Sequence, residues 1–247
     1  MLSTHWALEN FIGRLSALSP LTPDDIAALS ALPIEPVRLR GNVDIVTTGE
    51  AFNDAYLVVS GLVARFVQLR DGRRQFTAFH MPGDIADIHR VATPLAGSSL
   101  QTLSTTTIVR VPVTRLKALA LSSPTITHAF FAYAAVDAAV LAQWTVNAGR
   151  RDAQSRMAHF LCELAIRSEQ SDQGSRDEFI LEASQGQIGD ALGLTSVHVN
   201  RTLKALKLSN AIAIDGRIIR ILNWPLLAAH GDFDEGYLQL LEQVKAA

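Results

Sequence analysis

Residues 184–208 read SQGQIGDALGLTSVHVNRTLKALKL. Ser184 and Gln187 have the spacing of a capping box, in which each side chain satisfies the other's backbone N–H. Ile188, Ala191 and Leu192 give the short helix that follows one apolar face. Gly193 supplies the bend, because glycine takes a positive φ without steric cost. Thr195 then caps a second helix. In it Val199, Leu203 and Leu206 face inward, and Ser196, His198, Asn200, Arg201, Lys204 and Lys207 face outward. From 195 to 207 this helix has cations at Arg201, Lys204 and Lys207 and no anion. The layout is a helix–turn–helix of the kind that reads DNA. Its second helix is short enough for a major groove, with early residues at base edges and later basic ones at phosphates.

Working outward, residues 211–214 and 217–222 flank Asp215-Gly216, which predicts a β-hairpin, the wing of a winged helix. Arg217 sits at its tip, within reach of a phosphate. Upstream, 171–176 (SDQGSR) reads as a polar linker, and 152–169 as a helix with Met157, Phe160, Leu161, Leu164 and Ala165 on one face. A long helix starts near Pro124. Phe130, Tyr133, Ala134, Asp137, Val140, Leu141 and Trp144 recur along it at three- and four-residue steps, as a stripe for another helix would. Asn147-Ala148-Gly149 marks a weak spot in it. Between 36 and 112 the pattern changes to short strands, at 43–47, 56–60, 62–68, 74–80 and 106–112, with glycines between them. Such spacing predicts a closed all-β unit, a sandwich, jelly roll or barrel. Residues 7–32 are helical, with a break at Thr22-Pro23. A last helix is expected over 237–244.

Composition limits the function classes. The chain has 247 residues, 48% of them hydrophobic and 19% charged, which suits a buried core and not disorder. A net charge of -2 excludes a histone-like coating of nucleic acid, though not a local basic surface. One cysteine, Cys162, cannot build a disulfide, an iron–sulfur cluster or a structural zinc site alone. With no targeting pattern in residues 1–8, the expected setting is cytoplasmic. The most apolar run, 129–144, is shorter than the ~20 residues of a membrane span and is interrupted by Asp137, so no membrane association is expected.

With these parts in this order, the chain resembles the CRP/FNR family of bacterial transcription regulators over residues 10–225. The motifs that carry the likeness are IGDALGLTSVHVNRTL and, more loosely, the turns at Gly49-Glu50 and Pro82-Gly83-Asp84. The resemblance implies an α+β architecture: N-terminal helices and a cyclic-nucleotide-binding-like β-roll (jelly roll) over 1–122, a long dimerisation helix over 123–151, a winged helix–turn–helix over 152–225 and a helical tail over 226–247. It implies a homodimer on two-fold symmetric double-stranded DNA, with recognition helices about 34 Å apart, and RNA polymerase as a further partner. Carried over by position, Arg201 is the base-reading residue, suited to a bidentate contact with guanine. Thr195 and His198 match phosphate- or base-contacting positions, and Ser196, Asn200 and Lys204 on the same outward face are expected to bind DNA with them. Ser184, Gln185 and Gln187 contact the backbone at the first helix, and Gly216 and Arg217 do so from the wing. Many members carry a Glu where this chain has Val197, so its DNA target should differ from theirs. The dimer interface is expected at Phe130, Tyr133, Asp137, Val140, Leu141 and Trp144.

The same likeness places an effector pocket at Ala86, Asp87, Gly97, Ser98, Ser99 and Leu141. In cyclic-nucleotide-binding members a Gly-Glu pair meets the ribose and an Arg-Ser pair the phosphate. Here Ala86-Asp87 and Gly97-Ser98 stand in those places, and Arg90 lies on another part of the loop. A buried phosphate with no cation is poorly compensated, so cyclic AMP is not expected as the effector. No cofactor is identifiable. A haem would need an axial ligand, for which His80, His89 and His128 are equivalent candidates. Two other functions stay open on the residues alone. The winged helix could bind protein and not DNA. An enzyme would need a catalytic constellation, of which His80, His89, Asp84 and Asp87 are the only hint; no catalytic activity is expected.

Overall fold

The computed structural model describes residues 3–93 and 95–238. Helix α1 (Thr4–Leu18) starts from Ser3, whose hydroxyl accepts from the Trp6 N–H at 3.0 Å. Helix α2 (Pro23–Ser30) starts from a capping box made by Thr22 and Asp25, with proline at its first position. Eight strands follow: β1 (Glu35–Leu39), β2 (Asp44–Val46), β3 (Asp54–Ser60), β4 (Val63–Gln68), β5 (Arg74–His80), β6 (Ile85–Ala86), β7 (Ser99–Thr102) and β8 (Thr106–Pro112). They make two four-stranded sheets, ordered β1-β8-β3-β6 and β2-β7-β4-β5. Strand β3 shows why the sheets form a closed roll. Residues 55–59 are all buried. Side chains alternate across a strand, so Ala55, Leu57 and Val59 join the cluster built with Phe11 and Leu15 of α1, while Tyr56 and Val58 join one with Val63, Leu100 and Ile108.

Helices α3 (Val113–Ser122) and α4 (Pro124–Arg150) come next. The weak spot at 147–149 does not end α4, which runs 27 residues. That is long and apolar enough to cross a membrane by length and composition alone. Its polar side chains, however, are tied to its own protein. Tyr133 Oη accepts from the Ile85 N–H at 3.2 Å, and Asp137 is ion-paired to Arg65.

Helix α5 (Ala153–Gln170) leads into β9 (Glu178–Ile180), α6 (Gln185–Leu192), α7 (Ser196–Leu208), the hairpin β10 (Ile212–Asp215) and β11 (Ile218–Ile221), and α8 (Trp224–Gly231). The wing is a three-stranded sheet ordered β10-β11-β9. Helix α8 overlaps the start of the stretch 226–247, where a helical tail is expected; it lies close on α5, where a Cβ on Gly231 would meet the backbone of His159. The expected helix over 237–244 lies almost wholly outside the described residues. The chain folds as two compact units, one with residues up to Val67 and Ala78–Val140, the other with Gln68–Thr77 and Leu141–Glu235. The architecture is α+β: a β-roll, a long helix and a winged helix–turn–helix.

The face of α4 assigned to a dimer turns inward instead. Phe130 belongs to the core of the β-roll unit. Tyr133 stacks edge-on against Phe11 with ring centroids 5.9 Å apart, and Val140 is buried. In the second unit Trp144 is buried, and its Nε1–H donates to both carboxylate oxygens of Glu163 at 3.1 Å. Leu141 alone of the six is exposed. Among the exposed residues of α4, Phe131, Ala135, Ala138, Ala142, Thr145 and Gly149 form one row, with Leu141, Val146, Ala148 and Arg150 exposed beside it. The spacing along the row alternates four and three, a heptad repeat.

Candidate nucleic-acid interface

Both ends of α6 are capped. At the start of α6 the Ser184 hydroxyl accepts from the Gln187 N–H, and Gln187 Oε1 accepts from the Ser184 N–H at 2.7 Å. This buries Gln187 and commits its Oε1 to the cap. At the other end Gly193 adopts φ 65°. Arg156 Nη1 donates to the Leu192 carbonyl at 3.0 Å, satisfying a free carbonyl of the last turn. Gly189 permits the tight turn, since a Cβ there would collide with the Leu194 carbonyl oxygen. That requirement was not apparent from the sequence.

The Thr195 hydroxyl accepts from the His198 N–H at 3.3 Å and begins α7. Val199, Thr202, Leu203 and Leu206 are buried, while Ser196, Val197, His198, Arg201, Lys204 and Lys207 are exposed. Asn200 is half-buried. Val197, at 68% exposure, is a large aliphatic side chain in water at the helix start. Between α7 and the wing runs a groove of ≈ 260 Å³, floored by residues such as Leu203 and Ile219 and edged by Gln185, Asn200, Lys204, Lys207, Gly216 and Arg217. Arg201, Lys204, Lys207 and Arg217 form no salt bridge among the described residues. Their charge is therefore available to an anion. A net acidic chain thus presents a locally basic face.

The support beneath this face is buried and partly ionisable. On α5, His159 is 1% exposed, meets Asn147 Nδ2 through Nδ1 at 3.1 Å and packs edge-on to Phe233. Burial, then the Arg151 guanidinium, push its imidazole down to about 4. An unfolded chain would take up that proton near pH 6.5. Acidification from 6.5 to 4 therefore favours unfolding, and the contribution lost is about 3 kcal/mol. Thermal midpoints are expected to fall across this window and His159→Gln to flatten much of the slope; an unchanged slope would refute the assignment. In the β-roll unit His80 is also buried and shifted downward, by burial and then by Arg65, so part of the slope remains. Cys162 is fully buried, which pushes its thiol up to about 12 and leaves it unreactive.

In the β-roll unit one position assigned to an effector, Asp87, is engaged by charged side chains of the protein itself. Asp87 is buried and pairs with Arg90 through Nε at 2.9 Å and Nη2 at 2.5 Å, and with Arg65 Nη1 at 3.1 Å. Burial raises the Asp87 carboxyl, but Arg90, His80 and Arg65 outweigh it and hold it below the usual range. Arg90 is buried too, and its guanidinium lies 4.3 Å from the Phe52 ring centroid. The Ser98 carbonyl accepts from Arg90 Nη2 at 3.4 Å, and the Ser99 hydroxyl bonds to Thr48. Ala86 is buried, Gly97 exposed, and Leu141 belongs to the other unit. Of the candidate haem ligands, His80 is buried while His89 and His128 are exposed. Among the described residues no group of three or more His, Cys, Asp or Glu could hold a metal ion.

Comparison with known proteins agrees with this arrangement. Residues 155–230 match the model of the Crp-like helix-turn-helix domain, and residues 36–123 that of the cyclic nucleotide-binding domain. The chain is 32% identical to the nitrogen fixation regulation protein FixK of Azorhizobium caulinodans over 184 residues, 72% of this chain and 71% of that one. It is 27% identical to the transcriptional activator protein Anr of Pseudomonas protegens over 203 residues, 82% and 83% of the two. Among solved structures, FixK2 from Bradyrhizobium japonicum superposes with a TM-score of 0.74 at 28% identity, covering 80% of this chain and 97% of that one.

The chain belongs to the CRP/FNR family of transcription regulators. It is a DNA-binding regulator and not an enzyme, and its Crp-type helix–turn–helix is the DNA-binding part.

Proposed function

We propose that this regulator acts in the bacterial cytoplasm as a homodimer on a two-fold symmetric DNA site, without cyclic AMP as its effector, and that RNA polymerase is its further partner. The observation that carries the DNA contact is the exposed, unpaired set Arg201, Lys204, Lys207 and Arg217 on one face of the winged helix. Arg201 reads a guanine through O6 and N7. Val197 makes an apolar contact, which a thymine methyl group satisfies. Ser196, His198 and Asn200 complete the base-facing end, and Ser184, Gln185, Thr195, Lys204, Gly216 and Arg217 hold phosphates. The exposed heptad row on α4 supports pairing with a second copy. Alanines at its centre allow two helices to approach closely.

The charge of the β-roll supports the exclusion of cyclic AMP. Arg65, Arg90, Asp87 and Asp137 sum to zero formal charge, so the charge of both buried guanidiniums is already balanced by carboxylates of the protein. Selection of bound duplexes from a random pool tests the whole reading. The expected product is an inverted repeat whose yield falls steeply with salt and does not rise with cyclic AMP. Arg201→Ala is expected to weaken binding to that duplex by about 5- to 150-fold, the equivalent of ~1–3 kcal/mol for a lost bidentate contact. It should also relax the preference at one base pair of each half-site. A pool with no enriched symmetry, or an Ala variant with full specificity, would overturn the reading.

A further inference from the structure

The four charged side chains in the β-roll come from different parts of the fold. Arg65 lies on β4, Asp87 just after β6, Arg90 on the following turn and Asp137 on α4. Arg65 Nη1 donates to Asp87 Oδ1 at 3.1 Å and to Asp137 Oδ2 at 2.6 Å, and its Nη2 to Asp137 Oδ1 at 3.2 Å. One guanidinium thus grips the loop with one hand and the long helix with the other. The planar fork of arginine suits such shared, bidentate use; a lysine ammonium does not. Asp87 itself has φ 58°, a left-handed conformation that non-glycine residues adopt uncommonly. Arg90 and Arg65 hold it there. One turn earlier on the same face of α4, Tyr133 takes the Ile85 N–H. The loop and the helix are joined twice.

Buried ion pairs are poor sources of net stability, because desolvation offsets most of the attraction. What such a pair specifies well is a geometry. We propose that Arg65 and Asp137 are positioning residues that set the long helix against the β-roll with no small molecule, so that DNA affinity depends on this pair. The inference rests on the reading that α4 pairs with a second copy. Fixing the inward side of α4 fixes the direction in which the row from Phe131 to Gly149 points. The pair therefore bears on the spacing of two recognition helices while touching neither DNA nor the row.

The test uses the full chain and three variants, Asp137→Asn, Asp137→Glu and Arg65→Lys. Amide hydrogen exchange over 84–91 and 133–140 is measured beside affinity for the duplex recovered by selection. In Asp137→Asn, exchange in both segments is expected to quicken, and affinity to fall by about 5- to 150-fold, the usual span of coupling between sites. Asp137→Glu restores the carboxylate and is expected to recover most of both. Arg65→Lys keeps the charge, loses the fork and should fall between. Unchanged exchange in the Asn and Lys variants, unchanged affinity in both, or a folded Glu variant as weak as Asn would each overturn the proposal. Should the Asn variant fail to fold, the Lys and Glu variants decide by the same readings. If the wild-type chain selects no duplex, the regulator reading fails separately, and the exchange data alone judge the clamp.

Discussion

Ala138→Glu is expected to leave the chain folded but monomeric, and to weaken its DNA binding by about 10²–10⁴-fold, the factor that a second linked contact supplies. Ala138 is exposed and lies in the middle of the row Phe131, Ala135, Ala138, Ala142, Thr145 and Gly149. In a parallel helix pair each such position meets its own copy. Two carboxylates would then face each other in a dehydrated seam, which costs both repulsion and desolvation. Within one chain the side chain at 138 faces water, so circular dichroism and thermal melting should change little. Light scattering reads the mass, and a fluorescent duplex reads the affinity. A dimer of undiminished affinity would place the interface elsewhere.

Trp144→Ala has an effect of another kind. The indole is buried, stacks edge-on against Phe160 at 6.0 Å and donates to both oxygens of the fully buried Glu163. Truncation removes that packing, at about 3–5 kcal/mol for a tryptophan in a core. It also takes a donor from a buried carboxylate. Trp144→Phe keeps most of the packing and isolates the hydrogen bond, worth about 1.5–3 kcal/mol for a charged acceptor. Urea melts should rank wild type above Phe above Ala. The interface reading of Trp144 predicts otherwise: the mass would drop while each protomer kept its stability. A monomeric Ala variant with an unshifted urea midpoint would therefore restore that reading.

These two residues show what could be read from the chain and what could not. The helix–turn–helix was legible because its punctuation is local. Ser184, Gly193 and Thr195 act on backbone groups within four residues of themselves, and Asp215-Gly216 closes a hairpin without outside help. Strand β1 escaped notice because it carries Pro36, which an edge strand tolerates. On α4 the three-and-four periodicity was legible, but Phe130, Val140 and Trp144, expected at an interface, are buried within one chain. That helix is apolar on two sides, and a three-and-four spacing says nothing about which side meets its own core. Phe130, Tyr133 and Trp144 turn toward the interior while Phe131, Ala135, Ala138 and Ala142 stay outside, and Ala129 is fully buried, so side-chain size does not separate the two sides either. The grip of Arg65 was beyond such reading, since its partners stand 22 and 72 positions away.

The alanine-rich row on α4 bears on dosage. Methyl groups bring two backbones close but remove little oily area from water, and each such contact is worth little. Under the proposed pairing, two copies held this way would dissociate readily when dilute, and their population would depend on how many copies the cell makes. At low abundance the assembled form rises with the square of the number of chains, so occupancy of a promoter responds more steeply than synthesis does. Supply of the polypeptide then becomes a signal in its own right.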